Sequence, residues 1–124
     1  MVVGLGIDLT EIRRIDQMLV RWGKRFTQRV FTDSERAYCE GRANPAQHFA
    51  ARFAAKEATL KALSVPRGLR WHEMEVQGGG SEPPILRLRG KALAEASALS
   101  ATNFHLSLSH TDEIATAVVI VESI

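Results

Sequence analysis

Phe49-Ala50-Ala51-Arg52-Phe53-Ala54-Ala55-Lys56-Glu57-Ala58-Thr59-Leu60-Lys61-Ala62-Leu63 decides the fold, because its spacing predicts one long helix with charge set against its apolar side. Phe49, Phe53, Leu60 and Leu63 recur at the three- and four-residue spacing of a single helical face. Lys56 falls in that stripe, Arg52 and Glu57 on its two edges, and Lys61 one step further round. A charge held against apolar surface must be paired, hydrogen-bonded or metal-bound, since uncompensated burial costs on the order of several kcal/mol. One reading satisfies this simply: Lys56 and Lys61 snorkel to solvent, and Glu57 pairs with Lys61 at i,i+4.

Upstream, Asn44, Pro45 and Gln47 predict the start of this helix, with proline at its first position and a capping pair around it. Downstream it should stop before Pro66 and Gly68. Thr32 and Glu35 form a capping box opening a shorter helix that ends near Gly41. At the N-terminus, Val2, Val3, Leu5, Ile7 and Leu9 read as a strand in which Gly4 and Gly6 let another element approach closely, with Asp8 at the strand's end. Thr10 can cap a helix from Glu11 to about Trp22, closed by Gly23. Ile12, Ile15, Leu19 and Trp22 form its core face. Arg14, Met18, Arg21 and, if the helix continues through Gly23, Arg25 form a second face.

Segments 70–77 and 85–89 read as strands separated by a loop of Gly78–Gly80 and Pro83–Pro84, and 91–99 as a helix. Phe104, Leu106 and Leu108 alternate with His105, Ser107 and Ser109, the pattern of a half-buried strand with one polar face. The stretch 115–121 carries no charge at all, so a strand there needs cover on both faces. The long helix supplies one cover, and a chain of this size has little left for the other, which predicts self-association. The fold class expected is α+β: an antiparallel sheet packed on one long helix plus shorter helices, as a single domain over residues 1–124.

Composition narrows the function classes. A net charge of +2 is too small to indicate nucleic-acid binding. Cys39 is the only cysteine, which rules out an internal disulfide and reads as packing. The first residues lack a basic segment followed by a long apolar run, and no stretch approaches the roughly 20 apolar residues of a membrane span, so the cytoplasm is the expected location. The chain has no GxxxxGKS/T loop, no Cys/His cluster and no GxSxG elbow.

Asp8 and Glu57 are the best-placed carboxylate pair: two carboxylates cannot sit together without raising one pKa or recruiting a cation, and few carboxylates with open positions suit Mg²⁺. The alternative is that Asp8 is a turn or helix-start residue that never meets Glu57. Arg52, Lys56 and Lys61 beside that pair would suit a polyphosphate, and His105, Ser107 and Ser109 add neutral hydrogen-bonding groups. Those three are equally explained as a solvent-facing strand. The Arg14, Met18, Arg21, Arg25 face has the charge to steer an acidic amphipathic helix and the apolar group to hold it, or is simply a solvated helix face.

Together these residues resemble holo-[acyl-carrier-protein] synthases, the short, trimeric class of 4'-phosphopantetheinyl transferases. Gly6-Ile7-Asp8 with Glu11 and Arg14 is similar to the family's N-terminal motif, Arg52 to Ala58 with Lys61 to its second, and His105 to His110 to its C-terminal strand motif. The resemblance implies transfer of 4'-phosphopantetheine from coenzyme A to a serine of apo acyl carrier protein, releasing 3',5'-ADP, in fatty acid biosynthesis and lipid metabolism. It implies Asp8 and Glu57 as Mg²⁺ ligands and, with Lys61, as catalytic residues. Arg52, Lys56, Lys61, His105, Ser107 and Ser109 would bind coenzyme A, and Arg14, Met18 and Arg21 would receive the carrier protein, joined by Arg25 where the same helix face continues. It also implies a homotrimer with sites at subunit interfaces. For the serine proton, a metal-bound water, Glu35 and His110 all stand as acceptors.

Overall fold

In the computed structural model, which describes residues 1–65 and 68–124, the chain runs β1 (Val2–Glu11), α1 (Ile12–Trp22), α2 (Lys24–Val30), α3 (Asp33–Glu40), α4 (Pro45–Ala62), a 3₁₀ turn (Trp71–Glu73), β2 (Met74–Gly79), β3 (Glu82–Leu88), α5 (Gly90–Ala98), β4 (Ala101–His110) and β5 (Ile114–Ser123). The fold is α+β, as expected. The strands divide into an antiparallel three-stranded sheet of order β1-β5-β4 and a separate β2-β3 ribbon. First and last strands are neighbours, so the chain ends meet, with the Met1 amino group donating to the Ser123 carbonyl at 2.9 Å.

Small residues set the distance between helix and sheet. A Cβ on Gly6 would lie 1.8 Å from the Ala58 carbonyl oxygen, and one on Gly4 would lie 2.0 Å from that of Ala62. Only glycine permits that approach. The helix answers with Ala54, Ala55, Ala58 and Ala62, which pack with Ala117, Val119 and Val121 of β5 in the main core. The predicted stripe therefore shifts: alanines carry the sheet contact, while Phe53 and Leu60 are only half-buried. A second cluster of Ile12, Ile15, Phe26, Val30, Phe31 and Phe49 fills the space between α1, α2 and α4.

Several boundaries differ from expectation. β1 continues through Asp8 to Glu11, and Thr10 donates its hydroxyl to Asp8 at 2.9 Å instead of capping α1. Trp22 is 41% exposed and outside the core. Asn44 makes no side-chain cap, although Pro45 does occupy the first turn of α4. The capping box of Thr32 and Glu35 is present. The 70–77 segment begins as the 3₁₀ turn, and Gly78, Gly79, Pro83 and Pro84 belong to the β2-β3 hairpin itself, with Gly79 opposite Glu82. α4 ends at Ala62; Pro66, its expected stop, lies outside the described residues.

β4 alternates as predicted, with Phe104, Leu106 and Leu108 turned inward and His105, Ser107 and Ser109 exposed. On β5, Ala115, Ala117, Val119 and Val121 are fully buried, whereas Val118 and Ile120 lie on the opposite face. There they meet Ile7 and Leu5 of β1, which are 56% and 62% exposed. The outer sheet face is thus apolar along β1 and β5 and polar along β4.

Candidate active site

The glycine contact of β1 with α4 places Asp8 beside Glu57 and Lys61. Asp8 follows Gly6 on the inward face of β1, and its carboxylate accepts from Lys61 Nζ at 3.3 Å and from Thr10. Lys61 also donates to the Ile7 carbonyl at 2.9 Å. Glu57 has no hydrogen-bond partner among the described residues. Burial first, and the Asp8 charge second, push its carboxyl above the ordinary value, with Lys61 and Arg14 opposing. Two neighbouring carboxylates, one without a partner, are a donor set that fits a hard divalent cation. Among the described residues no third Asp, Glu, His or Cys joins them to complete a protein-only metal cage. Mg²⁺ held here would take its other ligands from water and phosphate.

Lys56 lies elsewhere. Its side chain is fully buried, and Nζ donates to Glu35 at 2.8 Å, to the Met74 carbonyl at 2.6 Å and to the Trp71 carbonyl at 3.0 Å. An ammonium has three donors, and all are used. The expected phosphate contact of Lys56 has nothing left to make it, and the residue neither snorkels nor reaches a ligand. Glu35 is sealed with it, accepting also from the Thr32 and Val76 amides at 2.9 Å each. That arrangement removes Glu35 from the possible proton acceptors. Burial pushes Lys56 below its ordinary value while Glu35 holds it up. The pair ties α3 and the start of β2 to α4.

Arg52 is on the opposite side of α4 from Lys61 and does not stand beside Asp8 and Glu57 as expected. Its Nη2 donates to the Gly78 carbonyl at 2.8 Å, and its Nε is buried without a partner. With Tyr38, Arg42, His48 and Gly79 it lines a cavity of about 340 Å³ that reaches Ser109 and His110 on β4. Hairpin glycines make room there, because a Cβ on Gly79 would fall 2.7 Å from the Tyr38 hydroxyl. Sequence reasoning missed Tyr38, Arg42 and His48, which follow no helical or strand period with one another. His110 sits at the rim, its Nε2 2.9 Å from Gln47 Nε2.

His105 faces solvent and bonds Glu122 on the adjacent strand at 3.0 Å, which holds the Glu122 carboxyl below its ordinary value. Ser107 and Ser109 are exposed beside it. On the α1-α2 surface, Gly23 breaks the helix at φ 52°, so Arg25 belongs to α2. It nevertheless returns to the predicted face: Arg21 and Arg25 lie 5.0 and 5.8 Å from the Trp22 ring centre. Met18, Trp22, Arg25, Phe26 and Arg29 surround a hollow there, with Arg14 exposed on the same helix. Trp22 and Arg29 were not legible as members of this surface.

Comparison with known proteins assigns the family. Residues 4–119 match the family model of the 4'-phosphopantetheinyl transferase superfamily. The chain is 45% identical to the holo-[acyl-carrier-protein] synthase of Koribacter versatilis, over 98% of this chain and 99% of that protein. Among solved structures it is similar to the Helicobacter pylori holo-[acyl-carrier-protein] synthase in complex with coenzyme A, with a TM-score of 0.82 and 28% identity, covering 95% of this chain and 99% of that one. It is likewise similar to the Bacillus anthracis enzyme in complex with CoA (3',5'-ADP), with a TM-score of 0.77 and 35% identity, covering 99% and 98%. Matched from its first strand to its last, this chain belongs to the holo-[acyl-carrier-protein] synthase family of 4'-phosphopantetheinyl transferases.

Proposed function

We propose that this chain moves the 4'-phosphopantetheine group of coenzyme A onto a serine hydroxyl of apo acyl carrier protein, releasing 3',5'-ADP, with Mg²⁺ held by Asp8 and Glu57. The observation that carries this is the unpartnered Glu57 carboxylate beside Asp8, with the Lys61 ammonium at the same place. In the reaction the serine oxygen bonds to the phosphorus next to pantetheine, the bond from that phosphorus to the bridging oxygen breaks, and the hydroxyl loses its proton. Bound Mg²⁺ would supply charge neutralisation at the pyrophosphate. Position and charge are most of what such a transfer asks of a protein, so no protein nucleophile is needed. Lys61 is 55% exposed at its side chain and free to swing from the Ile7 carbonyl to a phosphoryl oxygen. The proton must leave through a group in contact with solvent, which Glu35 is not.

Arg52 would hold a phosphate of coenzyme A in its cavity, and Arg14, Met18, Arg21 and Arg25 would dock the acidic carrier, with Trp22 as an apolar anchor between the arginines. Arg14 faces both tasks, since its charge is felt at Glu57. The apolar outer face of β1 and β5 would be covered by further copies in a homotrimer. That assembly would bring the Arg52 cavity of one chain to the carboxylate pair of another, and His105, Ser107 and Ser109 to the junction. The decisive experiment is intact mass of an apo carrier protein after incubation with this chain, coenzyme A and Mg²⁺. One added phosphopantetheine per carrier is expected; no gain across several carriers refutes the reading.

A further inference from the structure

Tyr38 collects three nitrogen-bearing side chains around one ring. The guanidinium carbons of Arg42 and Arg52 lie 4.2 and 4.0 Å from its centre, and the His48 ring meets it edge-on with centroids 5.6 Å apart. His48 precedes Arg52 by one helical turn on α4, so the two share a wall of the 340 Å³ cavity. Among the described residues neither arginine has a carboxylate partner within ion-pair distance. Arg52 is 3% exposed and its Nε remains without an acceptor. Buried guanidinium without an anion is costly, so this pocket is built for a ligand that brings negative charge.

His48 is the member of this group whose charge can change near neutral pH. Every element around it contributes: Arg52 from α4, Tyr38 from α3, Arg42 from the α3-α4 connection, Glu82 from β3 and His110 from β4. Only Glu82 is acidic, and it is exposed. Burial first, then Arg52, Arg42 and His110, hold the imidazole below its ordinary value, so it is neutral in the open cavity. A phosphate monoester carries close to two negative charges above its second pKa of about 6. Such a group seated between the arginines would reverse the field at His48.

We propose that His48 is a proton-accepting ligand of the phosphate monoester on the 3' position of coenzyme A, taking up a proton from solvent as that phosphate enters the cavity. This rests on the function proposed above. Binding then consumes protons, and affinity for coenzyme A rises as pH falls from about 8 toward about 6.5. Below about pH 6 the phosphate itself protonates and the trend reverses. His48 thereby favours coenzyme A over its 3'-dephospho form, the more so at the lower end of that window.

Titration calorimetry of the full chain in its own assembly with Mg²⁺, in buffers of different ionisation enthalpy, counts the protons. Near neutral pH the expected result is a net proton uptake, of less than one proton per coenzyme A bound. No uptake is expected for 3'-dephospho-coenzyme A, or for coenzyme A with a His48→Gln variant. Uptake that is absent from the unaltered chain, survives His48→Gln, or accompanies the dephosphorylated ligand overturns the proposal while leaving the transferase reading in place. Even if the variant does not fold, equal proton uptake for the two ligands on the unaltered chain overturns the proposal. Absence of both coenzyme A binding and carrier modification refutes the transferase reading itself, and this proposal with it.

Discussion

At Glu57, burial and the Asp8 charge favour the protonated carboxyl, while Lys61 and Arg14 oppose them. The folded-state value therefore lies above the unfolded one, and ionisation of Glu57 weakens the fold as pH rises through the interval between the two. Replacing Glu57 by Gln removes that cost together with the proposed metal ligand. The expected outcome at pH 7 is a Tm equal to or above that of the unaltered chain, with transfer activity lowered by about 100-fold or more. The Tm difference should close as pH falls and the native carboxyl protonates. Carrier-modification rates and thermal melts on the same two proteins check both halves. Full activity in the variant would end the ligand assignment, and an earlier melt would make the carboxylate a structural partner. Asp8 and Glu57 were legible because a glycine-flanked strand and a helix edge each constrain one carboxylate to face the other element. Arg52 was assigned its ligand type from the same motif, but its direction was misjudged: facing the opposite side of α4, it meets the hairpin.

Between elements, the Lys56–Glu35 pair joins α3, α4 and β2 through contacts with both side chains fully buried. Lys56→Met or Glu35→Leu alone leaves an uncompensated buried charge, at a cost of about 3–5 kcal/mol. The double variant should cost less than the sum by about 2 kcal/mol, the mark of direct coupling. It should still fall well short of the unaltered chain, since the Thr32 and Val76 amides and the Trp71 and Met74 carbonyls would lose partners. Urea unfolding of the four proteins measures this cycle, and strictly additive costs would mean the pair is not coupled. Sequence placed Lys56 in an apolar stripe and so required a partner, yet it could not name one. Glu35 is 21 residues away and already explained by its capping box, which it also makes. The sheet was legible from alternation in β4 and from the glycines of β1. The two strands of the β2-β3 ribbon were legible too, but not their ends at the turn, because Gly78, Gly79, Pro83 and Pro84 signal a loop even while they continue the strands.

Across the whole molecule, the carboxylate pair faces β1 on one side of α4, and the Arg52 cavity faces α3 and the hairpin on the other. One ligand cannot easily serve both through a single chain, since the helix stands between them. The exposed Leu5, Ile7 and Leu9 of β1, with Val118 and Ile120 of β5 beside them, form the surface through which a second chain would bring the missing half. An apolar outer sheet face was readable from the uncharged 115–121 stretch, though it is β1 that exposes most of the apolar surface. Sites shared between chains, as proposed, would make a sharp prediction about mixed assemblies. Glu57→Gln and Arg52→Ala should each be nearly inactive alone. When the two are mixed in equal amounts, dissociated and reassembled, a site works only if the chain giving the carboxylates carries the Arg52 change and its neighbour carries the Glu57 change. Random mixing in a closed ring meets both conditions for about one quarter of sites, so about one quarter of the native activity should return. No recovery, with reassembly confirmed by light scattering, would place the two groups in one chain's own site or in unrelated ones.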